Sequence, residues 1–79
     1  MKLTERELII LTAMKAHAGT TMPVIVIYEL LGLSRQATIV CIRRLCRKLL
    51  YHKIVVERVS KLGRGHTGEY AIPLTIADA

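Results

Sequence analysis

The chain contains no phenylalanine and no tryptophan, and only three tyrosines among its 79 residues. Proteins that hold single-stranded nucleic acid stack its bases on exposed aromatic rings, so this shortage counts against that class. Cysteine is almost as scarce. Cys41 and Cys46 are five apart, which is neither a CxxC pair nor one helix face, and zinc would need two further ligands nearby. The expectation is two free thiols, with no disulfide, metal or cofactor. Long apolar runs are missing too. The longest uncharged stretch, residues 16–28, has 13 residues and is broken by Gly19 and Pro23, short of the ~18–20 a membrane span needs. Glu5 and Glu7 interrupt any apolar region that could serve as a signal peptide. A cytoplasmic location is expected.

Acid is the most unevenly missing chemistry. Across residues 34–68 only Glu57 stands against Arg35, Arg43, Arg44, Arg47, Lys48, Lys53, Arg58, Lys61 and Arg64, so this stretch nets +8. Residues 1–33 carry Lys2, Arg6 and Lys15 against Glu5, Glu7 and Glu29 and cancel; residues 69–79 hold only Glu69 and Asp78. A neutral part joined to a basic part describes a scaffold with a surface built for a polyanion. The length fits one domain, residues 1–79, with a core over about 4–74. A chain this short buries only roughly 60–65% of the surface its unfolded form exposes. Since 52% of the residues are hydrophobic, some apolar surface is expected to be covered by a second copy. Leu3, the outer side of the first helix, Leu74 and Ile76 are the candidates for that contact.

Local signals order the elements. Thr4-Glu5-Arg6-Glu7 is a capping box, predicting a helix that ends near Ala18, with Gly19 free to turn left-handed. Thr20 and Thr21 supply the next cap, and Pro23 suits a first helical turn, so a short helix is expected over 22–31, stopping at Gly32. Ser34 caps the longest helix, 35–52, about 27 Å at 1.5 Å per residue. Residues 54–59 are β-branched and read as a strand. Residues 61–68 form a loop with three glycines, and 69–72 return as the second strand, Tyr70 and Ile72 on one face and Pro73 at its end. The tail after Ile76 is expected to fray.

Helix, helix, helix, strand, basic glycine-rich loop, strand: this is an α+β chain, mainly α. Leu30-Leu31-Gly32-Leu33-Ser34-Arg35-Gln36, the arginine-rich helix behind it and the hairpin over 54–72 resemble a winged helix-turn-helix domain. The turn and the start of the third helix are similar to those of small MarR-like transcriptional regulators of bacteria, archaea and phages. The resemblance covers residues 4–74 and implies three helices followed by a two-stranded β-hairpin wing. It departs from the pattern in two ways. Leu49-Leu50-Tyr51-His52-Lys53 makes the third helix about one turn longer, and the glycine usual between helix and strand is absent.

The residues support a site without the family. With Ile42 at the centre of a buried face and 100° per residue, Thr38, Ile39, Leu45, Cys46 and Leu49 fall within ~60° of it. Gln36, Val40, Arg43, Arg44, Arg47 and Tyr51 fall opposite, with Ala37 and Lys48 flanking. Such a face suits a DNA major groove: Gln36 toward adenine, Arg43 and Arg44 toward guanine, Val40 or Ala37 toward a thymine methyl. Ser34 and Arg35 open the same helix and join the candidate set. Arg47, Lys48 and Tyr51 lie further along, where phosphate contacts are expected. Lys61, Arg64 and His66 on the loop would meet backbone or minor groove, His66 gaining charge below about pH 6.5. Amides near Thr20 and Thr21 are a further candidate for a phosphate, although plain capping explains these residues equally well.

Catalysis is not expected. Ser34 has no His/Asp partner in view, neither cysteine has a local histidine to activate it, and Gly63, Gly65 and Gly68 match GxGxxG with no helix following to receive a phosphate. His17 and His52 are expected to close the first and third helices. The sequence therefore leads to a sequence-specific double-stranded DNA-binding protein, a small homodimeric transcriptional regulator with no small-molecule effector. Two alternatives stay open: a winged-helix module docking on an acidic protein partner, and a protein that coats duplex regardless of sequence.

Overall fold

The computed structural model describes residues 2–59 and 68–79; Lys61, Arg64 and His66 lie outside the described residues. The fold is α+β and mainly helical, with three α-helices and a three-stranded antiparallel sheet.

Helix α1, Glu5–Ala16, begins with the capping box in place. The Glu7 amide donates to Thr4 Oγ1 at 3.2 Å and the Thr4 amide donates to Glu7 Oε1 at 2.9 Å. At the other end His17 is the C-cap, with its Nδ1 2.9 Å from the Ala13 carbonyl. Ile10, Leu11, Ala13 and Met14 form the buried side. Gly19, at φ 79°, then turns the chain back. Its amide donates to Ile72 O, and the Ile72 amide donates to Thr20 O.

That turn produces the first departure from expectation. Residues 21–23 are not the start of a helix but a strand, β1, Thr21–Pro23. A two-stranded hairpin is marginal in water. The sheet gains a third strand by pairing β1 with β3, Glu69–Ala71, while β2, Glu57–Val59, pairs with the other edge of β3. The order is β1-β3-β2. Pro23 ends its strand on an outer edge, where its missing donor costs nothing. The expected strand over 54–59 is accordingly shorter, with Ile54 buried before it begins.

Helix α2, Val24–Leu31, starts two residues later than expected. Thr20 and Thr21 do not cap it. Pro23 is the N-cap without a side-chain bond, and the Val24 amide donates to Gly68 O at 3.1 Å. Gly32 closes α2 in a left-handed conformation, φ 63°, its amide donating to Tyr28 O at 2.8 Å. After Leu33, Ser34 caps α3, Arg35–Tyr51, by accepting the Ala37 amide at 3.2 Å. The chain bends by 108° from α2 to α3.

α3 ends in a Schellman motif. The Lys53 amide donates to Leu50 O and the Ile54 amide to Leu49 O, while Lys53 sits at φ 63°. This is the position where glycine is usual. Leu49 and Ile54, both buried, stand where the apolar contact that accompanies the motif is made.

The core joins Ile10, Met14, Met22, Ile27, Ile42, Leu45, Leu49, Tyr70 and Ile72 from all three helices and the sheet. The tail belongs to it as well. Instead of fraying, Leu74–Asp78 form a 3-10 helix with Ile76 fully buried. Lys15 Nζ donates to the Ala79 carbonyl at 2.7 Å. Ile76 is thus spent on the core and is not a surface for a second copy. Among the described residues no single helix is long and apolar enough to cross a membrane.

Candidate nucleic-acid interface

The buried face of α3 is the one the spacing predicts: Thr38, Ile42, Leu45 and Leu49 are buried, with Ile39 and Cys46 half-buried. The Thr38 hydroxyl donates to Ser34 O at 2.9 Å, so this buried polar group is satisfied inside its own helix. Burial pushes the Cys46 thiol up to about 11. Both cysteines are free.

Arg35 is exposed at the start of α3 but shares the azimuth of Ile42, two turns on. On the opposite face Gln36, Val40, Arg43, Arg44, Arg47 and Tyr51 are exposed, and Ala37 is half-buried beside them. The structure brings these together as one outward ridge, because all belong to one unbroken helix. Ser34 is exposed, but its hydroxyl is engaged at the cap. Tyr51 stacks edge-on against His52, ring centroids 5.8 Å apart.

Lys48 does not join the ridge. Its ammonium reaches back to α1, donating to Glu7 Oε1 at 2.7 Å and to Lys2 O at 3.1 Å. Glu7 is only 3% exposed, so this acid is at once the third residue of a capping box and the anchor of α3. Burial pushes its carboxyl up, but hydrogen bonds from Lys48 and Thr4 outweigh burial and hold it below its usual value. Its Oε2 is buried without a partner among the described residues. The capping-box role was readable from local sequence; the ion pair was not, because Lys48 is 41 residues away.

Two grooves flank the ridge. One runs toward α1 and is lined by Thr4, Glu5, Arg6, Glu7, Cys41, Arg44, Arg47 and Lys48, two acids among four bases. The other runs toward the sheet and is lined by Ile42, Arg43, Cys46, Arg47, Val56, Arg58 and Tyr70, with no acid. Arg58 is a residue that sequence reasoning overlooked. Its signal was strand alternation, but only the register reveals it: Met22, Tyr70 and Arg58 lie directly opposite one another across the sheet. They therefore share a face. Glu57 and Glu69 fall in the neighbouring rows and face the other way.

The phosphate site considered at the start of α2 does not form as expected. Thr21 Oγ1 donates to Glu69 Oε1, Thr20 Oγ1 to Thr21 O, and the first amide of α2 is taken by Gly68. Among the described residues no three His, Cys, Asp or Glu side chains cluster as a metal site would require. No family profile, curated protein or solved structure matches this chain.

Proposed function

We propose that this chain is a winged-helix protein that binds double-stranded DNA in a sequence-dependent way, acting as a small transcriptional regulator. The observation that carries the reading is the α2–α3 junction. Two helices meet at 108° across Gly32-Leu33-Ser34. That angle and a three-residue turn containing glycine are the hallmarks of a helix-turn-helix, whose second helix enters the major groove. On this reading α3 presents Gln36, Ala37, Val40, Arg43 and Arg44 to base edges, and Arg47 to the backbone.

The antiparallel β2–β3 pair, with its basic connection carrying Lys61, Arg64 and His66, is the wing. A strand added ahead of α2 widens the sheet without displacing that pair. Leu8, at 51% exposure, Ile9 and Leu74 leave apolar surface uncovered, in keeping with a homodimer on a two-fold symmetric site. Neither catalysis nor a cofactor belongs to the proposal.

The test is selection of bound duplexes from a random pool at near-physiological salt. Enrichment of a symmetric motif is the expected result, and half-site spacing then reports the dimer geometry. Salt-sensitive binding without enrichment would replace the regulator with a duplex-coating protein. Absence of binding would put the acidic-partner module first.

A further inference from the structure

We propose that the groove between α3 and β2, walled by Arg47 and Arg58 and floored by Tyr70, seats one phosphodiester group of the duplex backbone. The proposal rests on the duplex reading above and adds to it Arg58 and Tyr70, which lie outside the helix-turn-helix.

Three arginines, Arg43, Arg47 and Arg58, line this groove. Among the described residues no carboxylate pairs with any of them. Two elements supply the charge: Arg43 and Arg47 are one helical turn apart on α3, and Arg58 stands on the edge strand of the sheet. Strand register is what aims Arg58 inward. It lies opposite Tyr70, whose ring is 6% exposed in the core, while Glu57 and Glu69 are turned to the far face. The sheet thus sorts its charges, cation toward α3 and acids away.

Gly68 leaves room for the Arg58 side chain. That side chain lies over Gly68, where a Cβ would sit 3.1 Å from the arginine Nε. Its guanidinium offers the planar fork that matches a phosphate oxygen pair. The Tyr70 hydroxyl, bonded to no described residue, is a further donor at the floor. Burial pushes its phenol above the ordinary value, with Arg58 and Arg43 pulling the other way, so it keeps its proton at neutral pH. The ligand that suits two guanidinium forks and a neutral hydroxyl is a phosphodiester anion. Its continuity with the α3 ridge through Arg47, which lines both grooves, points to the backbone of the same duplex that α3 reads.

The test uses the full chain with Arg58→Gln and Arg58→Lys, and a short labelled duplex of arbitrary sequence titrated over a range of salt. Arg58 is exposed on an edge strand, so both variants should keep the native melting temperature. Arg58→Gln should weaken every duplex about tenfold and reduce the salt slope by about one unit. Arg58→Lys should keep the slope and regain only part of the affinity, because the fork is lost.

Unchanged affinity and slope in Arg58→Gln would overturn the seat. Full recovery by Arg58→Lys would overturn it too, reducing the groove to a diffuse positive field. Inorganic phosphate titrated against the Tyr70 ring resonances supplies the other arm. Saturation by free phosphate, with duplex binding indifferent to Arg58→Gln, would overturn the duplex assignment in favour of a small phosphorylated ligand. Lack of sequence preference sinks only the regulator reading, because the slope is measured on any duplex.

Discussion

On its α1 side, α3 faces Thr4, Glu5, Arg6 and Glu7; on its sheet side it faces Val56, Arg58 and Tyr70. The same helix supplies cations to both, yet they do different work. Lys48 turns to the α1 side and its charge is consumed by Glu7 within the fold. Arg43 turns to the sheet side, where Arg58 adds to its charge and no acid lies among the described lining residues. Position around a helix decides whether a basic residue is spent inside the fold or left at the surface. Net charge along the sequence does not distinguish the two.

The sharpest way to break this contrast is to remove one cation from each flank. Lys48→Met leaves Glu7 in its 3% exposed position without a charge partner. A fully buried pair broken in this way costs 3–5 kcal/mol, but Lys48 is 40% exposed, so about 1–3 kcal/mol is the expected loss. Denaturant unfolding measures it. Arg43→Ala removes an exposed side chain and should shift stability by no more than about 0.5 kcal/mol. Its binding to the preferred duplex should fall by ~1–3 kcal/mol, with relaxed preference at one base pair. Equal stability losses in the two variants would erase the distinction between the flanks.

Acid sharpens the same contrast. The folded state holds the Glu7 carboxyl below its ordinary value of 4.5, so the unfolded chain takes up this proton at higher pH than the folded one. The stabilisation is therefore complete above the ordinary value and is lost as pH falls through the lowered one. Stability measured across that window should fall on acidification, and Glu7→Gln should flatten the profile. A Glu7→Gln profile that still falls as steeply would place the acid sensitivity elsewhere.

These contrasts also mark what the sequence could tell. Caps were legible because their chemistry is local: Thr4 with Glu7, Ser34 before Ala37, and Gly32 at the end of α2 each lie within a few residues of their partners. The buried stripe of α3 was legible because helical spacing is periodic. The β1 strand was not. Thr20 and Thr21 are equally good caps, and it is Glu69, Tyr70 and Ala71, far along the chain, that draw residues 21–23 into a sheet. Ile76 was misjudged for a similar reason. A short apolar residue near a terminus carries no local sign of the cavity it fills. The sheet-side groove failed on register: Arg58 could be counted but not aimed.

The cysteines report the two flanks independently. Cys41 lines the α1-side groove and Cys46 the sheet-side one. With its thiol pushed up to about 11, Cys46 should hold only roughly a thousandth of its population as thiolate at pH 8, and the thiolate is what reacts. Alkylation of Cys46 should therefore be slow in the folded protein and accelerate on unfolding. Rapid native-state labelling at Cys46, located by peptide mass, would mean that the floor of the sheet-side groove opens readily.

The smallest effect concerns how that groove is closed. The chain leaves α3 through Lys53 at φ 63°, a conformation that costs a side-chain-bearing residue energy and glycine almost none. Ile54 follows into the core, which fixes where β2, and with it Arg58, stands relative to Arg43 and Arg47. Lys53→Gly keeps the Schellman bonds, since both are made by backbone atoms. Relief of the left-handed strain should outweigh the extra freedom of an unfolded glycine and raise stability by about 0.5–1 kcal/mol. Lys53 is exposed, so its charge has no fixed partner to lose among those the groove uses. Duplex affinity should then fall by no more than one long-range charge explains. A marked loss would mean that the strained lysine sets the groove's width, and that closure of the sheet-side flank depends on a left-handed residue that is not glycine.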